Sequence, residues 1–410
     1  MPSFSIPLSG LTASSSALST IANNLANLNT IGYKDQRVEF RDLFYQTIGT
    51  TGGGDPVQQG AGTAVGSVSS LFTPGNINPS GVPTDVAINN DGFFIVQNNG
   101  VQSYTRAGNF EVNKNNFLVT TDGQNVMGYS AVNGALGQGL SPLQLAVGTI
   151  SPPTATTETQ LRTNLDATAA VGTVYSTPIT IYDSLGAAHN LMFSFTKTGT
   201  NGWDYSITIP AADVGGATDP TVLKTGSLTF DGNGNLLTPA ADVANINIAG
   251  FVDGANDMSF TWTLYDANNV AFLSQMAAPS STSSTQQDGS SSGTLVKYSI
   301  NADGTITGAF SNGRTAVLGQ VALATFADNQ GLLRNGNNCF SETLASGQAV
   351  IGAPGTAGRG TLSGGALEQS NVDIATEFAN LIVAQRGFQA NARVVTTFDQ
   401  ITQDTINLKQ

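Results

Sequence analysis

The chain carries a single histidine, His189, so any Ser–His–Asp relay must be built on it. Asp183 and Ser184 lie just upstream, within Ile181-Tyr182-Asp183-Ser184-Leu185-Gly186-Ala187-Ala188-His189. A nucleophilic serine needs a strained strand-to-helix elbow, and Ser184 sits in no G-x-S-x-G pattern. The segment reads as strand, turn and strand, with His189 expected at the surface. The one cysteine, Cys339, has no histidine of its own and is expected to be a buried or incidental thiol. Asp231-Gly232-Asn233-Gly234-Asn235 spaces side-chain oxygens as calcium loops do, but Leu236 stands at position six and no bidentate Glu follows; a tight turn is expected. No G-x-G-x-x-G opens a helix after a strand, and no carboxylate pair stands out for glycosidic chemistry. Catalytic, metal and cofactor sites are therefore not expected.

What the chain does carry is apolar periodicity at both ends. Phe4, Leu11, Leu18 and Leu25 recur every seven residues, with Ile21 and Leu28 on a companion row. Leu367, Ile374, Leu381, Phe388 and Val395 repeat the spacing near the other end, with Phe378, Phe398, Ile401 and Leu408 widening the stripe. A sustained seven-residue repeat marks helices that pack lengthwise. The first 33 residues hold no Asp, Glu, Lys or Arg. Their outward positions offer Ser14, Ser15, Ser16, Ser19, Asn23, Asn24 and Asn27 instead, so neighbouring helices can enclose this one without stranding a charge. Alone, a 20-residue helix this rich in Ser and Asn is marginal in water; the stem is expected to order when subunits meet.

Composition sets the remaining bounds. The 410 residues imply two or three domains. The net charge of −13 argues against a nucleic-acid partner. No run of 18 apolar residues exists, so no membrane insertion is expected. The lack of a positive leader region implies export, if any, without a standard cleaved signal.

Along the chain, one helix is expected over 9–29, ending near Gly32, and another over 367–408. Residues 33–67 read as a connector. Short β runs such as Phe93–Gln97 and Val101–Thr105 are punctuated by Asp91-Gly92, Asn99-Gly100 and Asp122-Gly123, whose positive φ suits hairpin turns. A second β block follows 150, a low-complexity Ser/Thr/Gln linker is read at 280–292, and a third β set follows it. The fold expected is mainly β with helical termini. The two ends (1–32 and 367–410) form a coiled-coil-like stem. Residues 68–149 and 293–366 form a discontinuous inner β domain, and 150–292 an inserted outer β domain.

Longer motifs carry a resemblance. Ala22-Asn23-Asn24-Leu25-Ala26-Asn27-Leu28-Asn29-Thr30-Ile31-Gly32-Tyr33-Lys34 resembles the N-terminal motif of the bacterial flagellar rod and hook family. Leu367-Glu368-Gln369-Ser370-Asn371-Val372-Asp373, Asn380 through Arg386, and Gln389-Ala390-Asn391-Ala392 are similar to its C-terminal signature. Gly92–Val96 and Tyr104–Phe110 match its inner β domain, and the Ile181–His189 stretch resembles the outer domain of the hook members. Seam and motif together nominate Leu11, Leu18, Ile21, Asn23, Asn24, Leu25, Asn27 and Leu28 for assembly. At the other end they nominate Ile374, Phe378, Leu381, Gln385, Arg386, Phe388, Val395, Phe398, Ile401 and Leu408. Arg386, Arg393, Glu377 and Asp399 are read as stem-face charges, either inter-subunit partners or solvated.

The resemblance implies a non-enzymatic hook subunit of the extracellular flagellum. Such a subunit is exported unfolded without leader cleavage and polymerises into a curved hollow tube that transmits torque as a flexible joint. It implies partners at the distal rod, the hook–filament junction and the hook cap. The alternatives are another axial protein with an expanded outer domain, or a secreted β-rich adhesin.

Overall fold

The computed structural model describes residues 4–132, 134–145, 150–215 and 220–407. Three α-helices occur among them: α1 (Ser5–Ala26), the short α2 (Ala211–Val214) and α3 (Ile374–Asn407). The chain divides into two compact units, one of Met1–Ala146, Tyr298–Gly308 and Ala316–Gln410, the other of Val147–Lys297 and Ala309–Thr315. Among the described residues, no helix is long and apolar enough to cross a membrane.

In the first unit, β1 (Gln36–Asp42) pairs antiparallel with β4 (Thr63–Ser70), and β2 (Tyr45–Thr50) with β3 (Pro56–Gly60). The stretch 33–67, read as a connector, is thus largely strand. Its residues are mostly exposed, so no alternation of apolar side chains announced the strands. The edge segment β5 (Ile77–Pro79) and β6 (Val86–Asn89) lead into the unit's central strands. The run Phe93-Phe94-Ile95-Val96 lies in β7 (Phe93–Asn98) and is buried on both faces. Phe94 and Val96 join Val86, Ile88, Phe110, Leu118, Val126 and Leu323 in one core; Phe93 and Ile95 join Tyr104, Met127 and Phe340 in another. β7 turns into β8 (Val101–Thr105) at Asn99-Gly100, where both residues have positive φ, as a tight two-residue hairpin requires.

The second unit packs two sheets around one core. Residues 174–182, 188–199, 202–209, 221–230 and 236–238 form an antiparallel meander. Residues 243–248, 258–263, 158–166 and 273–276 form the other sheet, with Ser281–Gln287 paired to Glu158–Asp166. Trp203, Trp262, Phe193, Phe195 and Phe260 fill the space between them. Ser281–Gln287 was read as a linker. It is an exposed strand, and its Ser/Thr/Gln composition concealed a role met by backbone pairing rather than apolar burial.

His189 also departs from expectation. In Ala188–Gly199 every second side chain points inward, and His189 begins the row continued by Leu191, Phe193, Phe195 and Lys197. It is buried, with Nε2 3.1 Å from Asp183 Oδ2. Asp231 behaves as expected: its Oδ1 accepts the Asn233 and Asn235 N–H groups at 2.8 Å each, closing a tight turn. Cys339 is buried, its thiol pushed up by that burial and set toward Gln124 Oε1.

Candidate functional site

α1 holds no charge, and its hydroxyls turn back on its own backbone. Thr12, Ser16, Ser19 and Thr20 each donate to a carbonyl one turn earlier. The helix ends at Ala26, before the expected Asn29. Asn27 caps the end, its Nδ2 donating to the Asn23 carbonyl at 2.9 Å. The chain turns through Gly32, at φ +66°, where an added Cβ would stand 2.6 Å from the Arg106 carbonyl carbon. Only glycine fits there without strain.

α3 begins at Ile374 because Asp373 Oδ1 accepts the N–H groups of Ala375 and Thr376. The expected helical start at Leu367 is corrected: Ala366–Glu368 is a strand paired with β5, Leu367 opposite Asn78. Leu408 lies outside the described residues.

The two helices pack lengthwise and antiparallel. The Phe4 and Phe398 rings meet edge-on at 6.0 Å. Gly10 lies against the Asn391 side chain, Ser14 Oγ lies beside Gly387, and Asn24 donates to Glu377 Oε2 at 3.1 Å. Each pair's residue numbers add to 401 or 402, so one register holds over the whole contact. The covered line on α3 runs Glu377, Leu381, Ala384, Phe388, Asn391, Val395, Phe398 and Thr402, in alternating steps of four and three. On α1 it runs Pro7, Gly10, Ser14, Ala17, Ile21 and Asn24, with Leu28 continuing the row just past the helix end.

The nominated residues therefore separate. Ile21 and Asn24 are buried. Leu11, Leu18, Leu25, Asn27, Leu28, Leu381, Phe388, Val395 and Phe398 are half-buried, and Asn23, Gln385 and Arg386 are exposed. Ile374, seven residues before Leu381, continues the covered row but is exposed at the start of the helix. Phe378 and Ile382 lie on one flank of that row and Val383, Val394 and Ile401 on the other; all are exposed, Val383 being 70% exposed. Of the charges read as stem-face groups, Glu377 is buried against Asn24, whereas Arg386, Arg393 and Asp399 stay exposed.

The base of the pair is a polar lock. Asn24 Oδ1 accepts from the Gln36 N–H and the Tyr33 hydroxyl, and its Nδ2 donates to the Gln36 carbonyl as well as to Glu377. Every polar atom of this buried amide is used. Beneath it, Glu368 receives two cations: Lys34 Nζ at 2.7 Å on Oε1 and Arg106 Nε at 2.9 Å on Oε2. All three side chains are almost fully buried. Arg106 also donates to the carbonyls of Asn90, Gly92 and Ile88, and Lys34 to that of Thr73. Burial pushes the Glu368 carboxyl up, but the two cations outweigh it and hold it below the ordinary glutamate range. Burial pushes the Lys34 ammonium down, with Arg106 adding to the effect against the pull of Glu368. Lys34, Arg106 and Glu368 escaped nomination because they lie in three separate motifs; no spacing within the chain joins them. This assembly performs no bond chemistry. It fixes the angle at which two helices leave a β body, and it leaves apolar side chains on both flanks of α3 uncovered.

Family models match along the chain in the same order as these parts. "Flagella basal body rod protein" matches residues 6–34 and "Flagellar hook protein FlgE/F/G D1 domain" residues 87–168. "Flagellar basal body protein FlaE D2 domain" matches 151–290 and "Flagellar basal body rod FlgEFG protein C-terminal" 363–408. The flagellar hook protein FlgE of Escherichia coli K12 is 36% identical over 99% of this chain and 100% of its own. This chain belongs to the flagellar hook protein family. The hook protein of Borreliella burgdorferi is 32% identical over 98% of each chain. In fold, the crystal structure of Helicobacter pylori flagellar hook protein FlgE2 superposes with a TM-score of 0.52 at 16% identity, covering 70% of this chain and 98% of that one. The match to this hook protein agrees with a mainly β molecule whose two ends are helical.

Proposed function

We propose that the chain is the repeating structural subunit of a flagellar hook, a curved hollow tube that couples rod to filament and carries torque as a flexible joint. The observation that carries this reading is the set of apolar side chains on α3 outside the α1 contact, Phe378, Ile382, Val383, Val394, Ile401 and Ile406, all exposed in the single chain. Burying such a side chain is worth about 1.5–3 kcal/mol. Six such side chains on one helix, spread over both flanks of its covered row, are ample to drive association with several like helices of neighbouring copies. In keeping with the family, copies self-polymerise; the distal rod, hook–filament junction and hook-cap proteins are the proposed end partners.

In this reading the terminal helices line the tube as a coiled-coil-like core. The inner β domain (68–149 and 293–366) surrounds it, and the outer domain (150–292) is inserted. The subunit is exported unfolded to the extracellular flagellum. The protein is structural, in keeping with relatives that are flagellar hook proteins. The test is truncation. Full-length protein at high concentration should give tubes in negative stain. Protein lacking 1–26 and 374–410, which keeps the Lys34–Glu368–Arg106 contact, should stay monomeric with its β circular-dichroism spectrum intact. Tubes from the truncated protein would refute the proposal.

A further inference from the structure

The second unit holds a polar cluster that the assembly does not use. His189 is 6% exposed and Asp183 has a fully buried side chain. Three segments meet at the imidazole. The turn before His189 supplies Asp183, whose Oδ1 is taken by the N–H groups of Leu185 and Ala187, leaving Oδ2 directed at His189 Nε2, 3.1 Å away. α2 supplies Asp213, with Oδ2 3.1 Å from His189 Nδ1. The 250–257 loop supplies Asp253, with Oδ2 4.0 Å from Nε2. Backbone ties lock these segments together: the Val252 N–H donates to the Asp213 carbonyl, and the Asn256 N–H donates to Ser184 Oγ. Phe251 lays its ring on the imidazole, centroids 4.8 Å apart.

Hydrogen bonding leaves this cluster incomplete. The contact between Nδ1 and Asp213 is close but too bent for a hydrogen bond, so Nδ1 is a buried polar atom without a partner. Three carboxylates face one imidazole, and among the described residues no lysine or arginine ion-pairs with them. Only Asp183 is fully buried, Asp213 and Asp253 being about one-third exposed, and a cation held among the three would offset their mutual repulsion.

We propose that Asp183, His189 and Asp253 form a binding site for a divalent transition-metal cation of the zinc type. One ligand atom from each lies within 4.8 Å of the other two. Tetrahedral zinc at about 2.0–2.1 Å from nitrogen and oxygen separates its ligands by about 3.3 Å, within a small closure of the observed spacing. His189 coordinates through Nε2, and the cation takes the place of the Nε2 proton, which leaves to solvent. Nδ1 keeps its proton, and a small rotation of the ring on coordination lets it donate to Asp213, 3.1 Å away, giving the carboxylate–histidine–metal arrangement that fixes an imidazole's tautomer. Asp213 is thus a positioning residue. Asp253, about one-third exposed, leaves room for a water as fourth ligand. The imidazole selects this class over magnesium and calcium, which prefer all-oxygen shells. Bound metal would staple the 250–257 loop to the meander sheet.

The test uses tag-free, metal-stripped full-length protein titrated with Zn2+ by calorimetry and followed by NMR, where the only histidine gives an unobscured imidazole signal. One equivalent should bind and move that signal. Co2+ should give the intense visible bands of a four-coordinate site. Asp253→Asn, on an exposed loop, should weaken Zn2+ binding at least tenfold with an unchanged circular-dichroism spectrum. Asp213→Asn should weaken it less. The proposal is overturned by an unmoved histidine signal at 100 µM Zn2+. Equal binding by Asp253→Asn, which marks an adventitious ion only, or equal occupancy by Mg2+ or Ca2+ would overturn it too.

Discussion

The Asn24 amide donates to Glu377 Oε2 at 3.1 Å, joining residues 353 positions apart in the chain. This bond sits where the two helices rise from the β body, and it closes a network in which Asn24 also serves both backbone groups of Gln36. Asn24→Leu would strand Glu377 and two backbone groups in a buried place, at about 1–3 kcal/mol. The loss should appear as a lowered denaturant midpoint. Asn23→Ala, at an exposed position, should shift it by about 0.5 kcal/mol or less. Equal effects would show that the buried network contributes nothing special.

Glu368 offers a sharper contrast. Glu368→Gln removes the charge that both Lys34 and Arg106 depend on, leaving two buried cations without compensation. The expected cost is about 3–5 kcal/mol in chemical unfolding.

The same carboxylate predicts an acid limb. Its folded pKa is depressed, so the unfolded state binds the proton more readily. The stabilisation is therefore complete above the ordinary glutamate value of about 4.3 and is lost as pH falls through the lower folded value. Unfolding free energy measured from pH 6 to 3 should fall along this limb in wild type and be flatter in Glu368→Gln.

Gly10 and Asn391 test the helix register. A Cβ on Gly10 would stand 2.8 Å from Asn391 Nδ2, the far end of a flexible side chain. Gly10→Val should destabilise the helix pair, and Asn391→Ala should restore part of the loss. A double-mutant cycle in thermal unfolding measures the coupling, expected at about 0.5–3 kcal/mol for residues in contact. Strict additivity would contradict the antiparallel register.

The exposed faces should govern assembly without governing monomer stability. Val383→Glu and Phe378→Glu lie on solvent-facing positions and should leave thermal unfolding nearly unchanged while abolishing polymerisation in sedimentation assays. Ser15, Ser19 and Asn23 are exposed on the uncharged α1. Lysines there should likewise spare the monomer but impair filament growth beyond the hook, since charge would then line the export path. Normal filament length would reject that role.

By itself the sequence determined the local elements. Heptad spacing found the half-buried row Leu381, Phe388 and Val395, because helical periodicity is a property of adjacent turns. The Asn99-Gly100 pair and the Phe93–Val96 run placed a hairpin and a doubly buried strand for the same local reason. Tertiary structure decided which face of each helix was covered, leaving Phe378 and Ile401 on uncovered flanks. It also gathered Lys34, Arg106 and Glu368 into one buried contact, and paired the polar strand Ser281–Gln287 by its backbone alone. His189 lay between the two: alternation with Leu191 and Phe193 could have turned it inward, but only folding brings Asp213 and Asp253 to it. Spacing along a chain encodes neighbours within a few turns. Contacts between distant segments depend on shape and on the cost of stranding buried charge, which are settled only when the whole core closes.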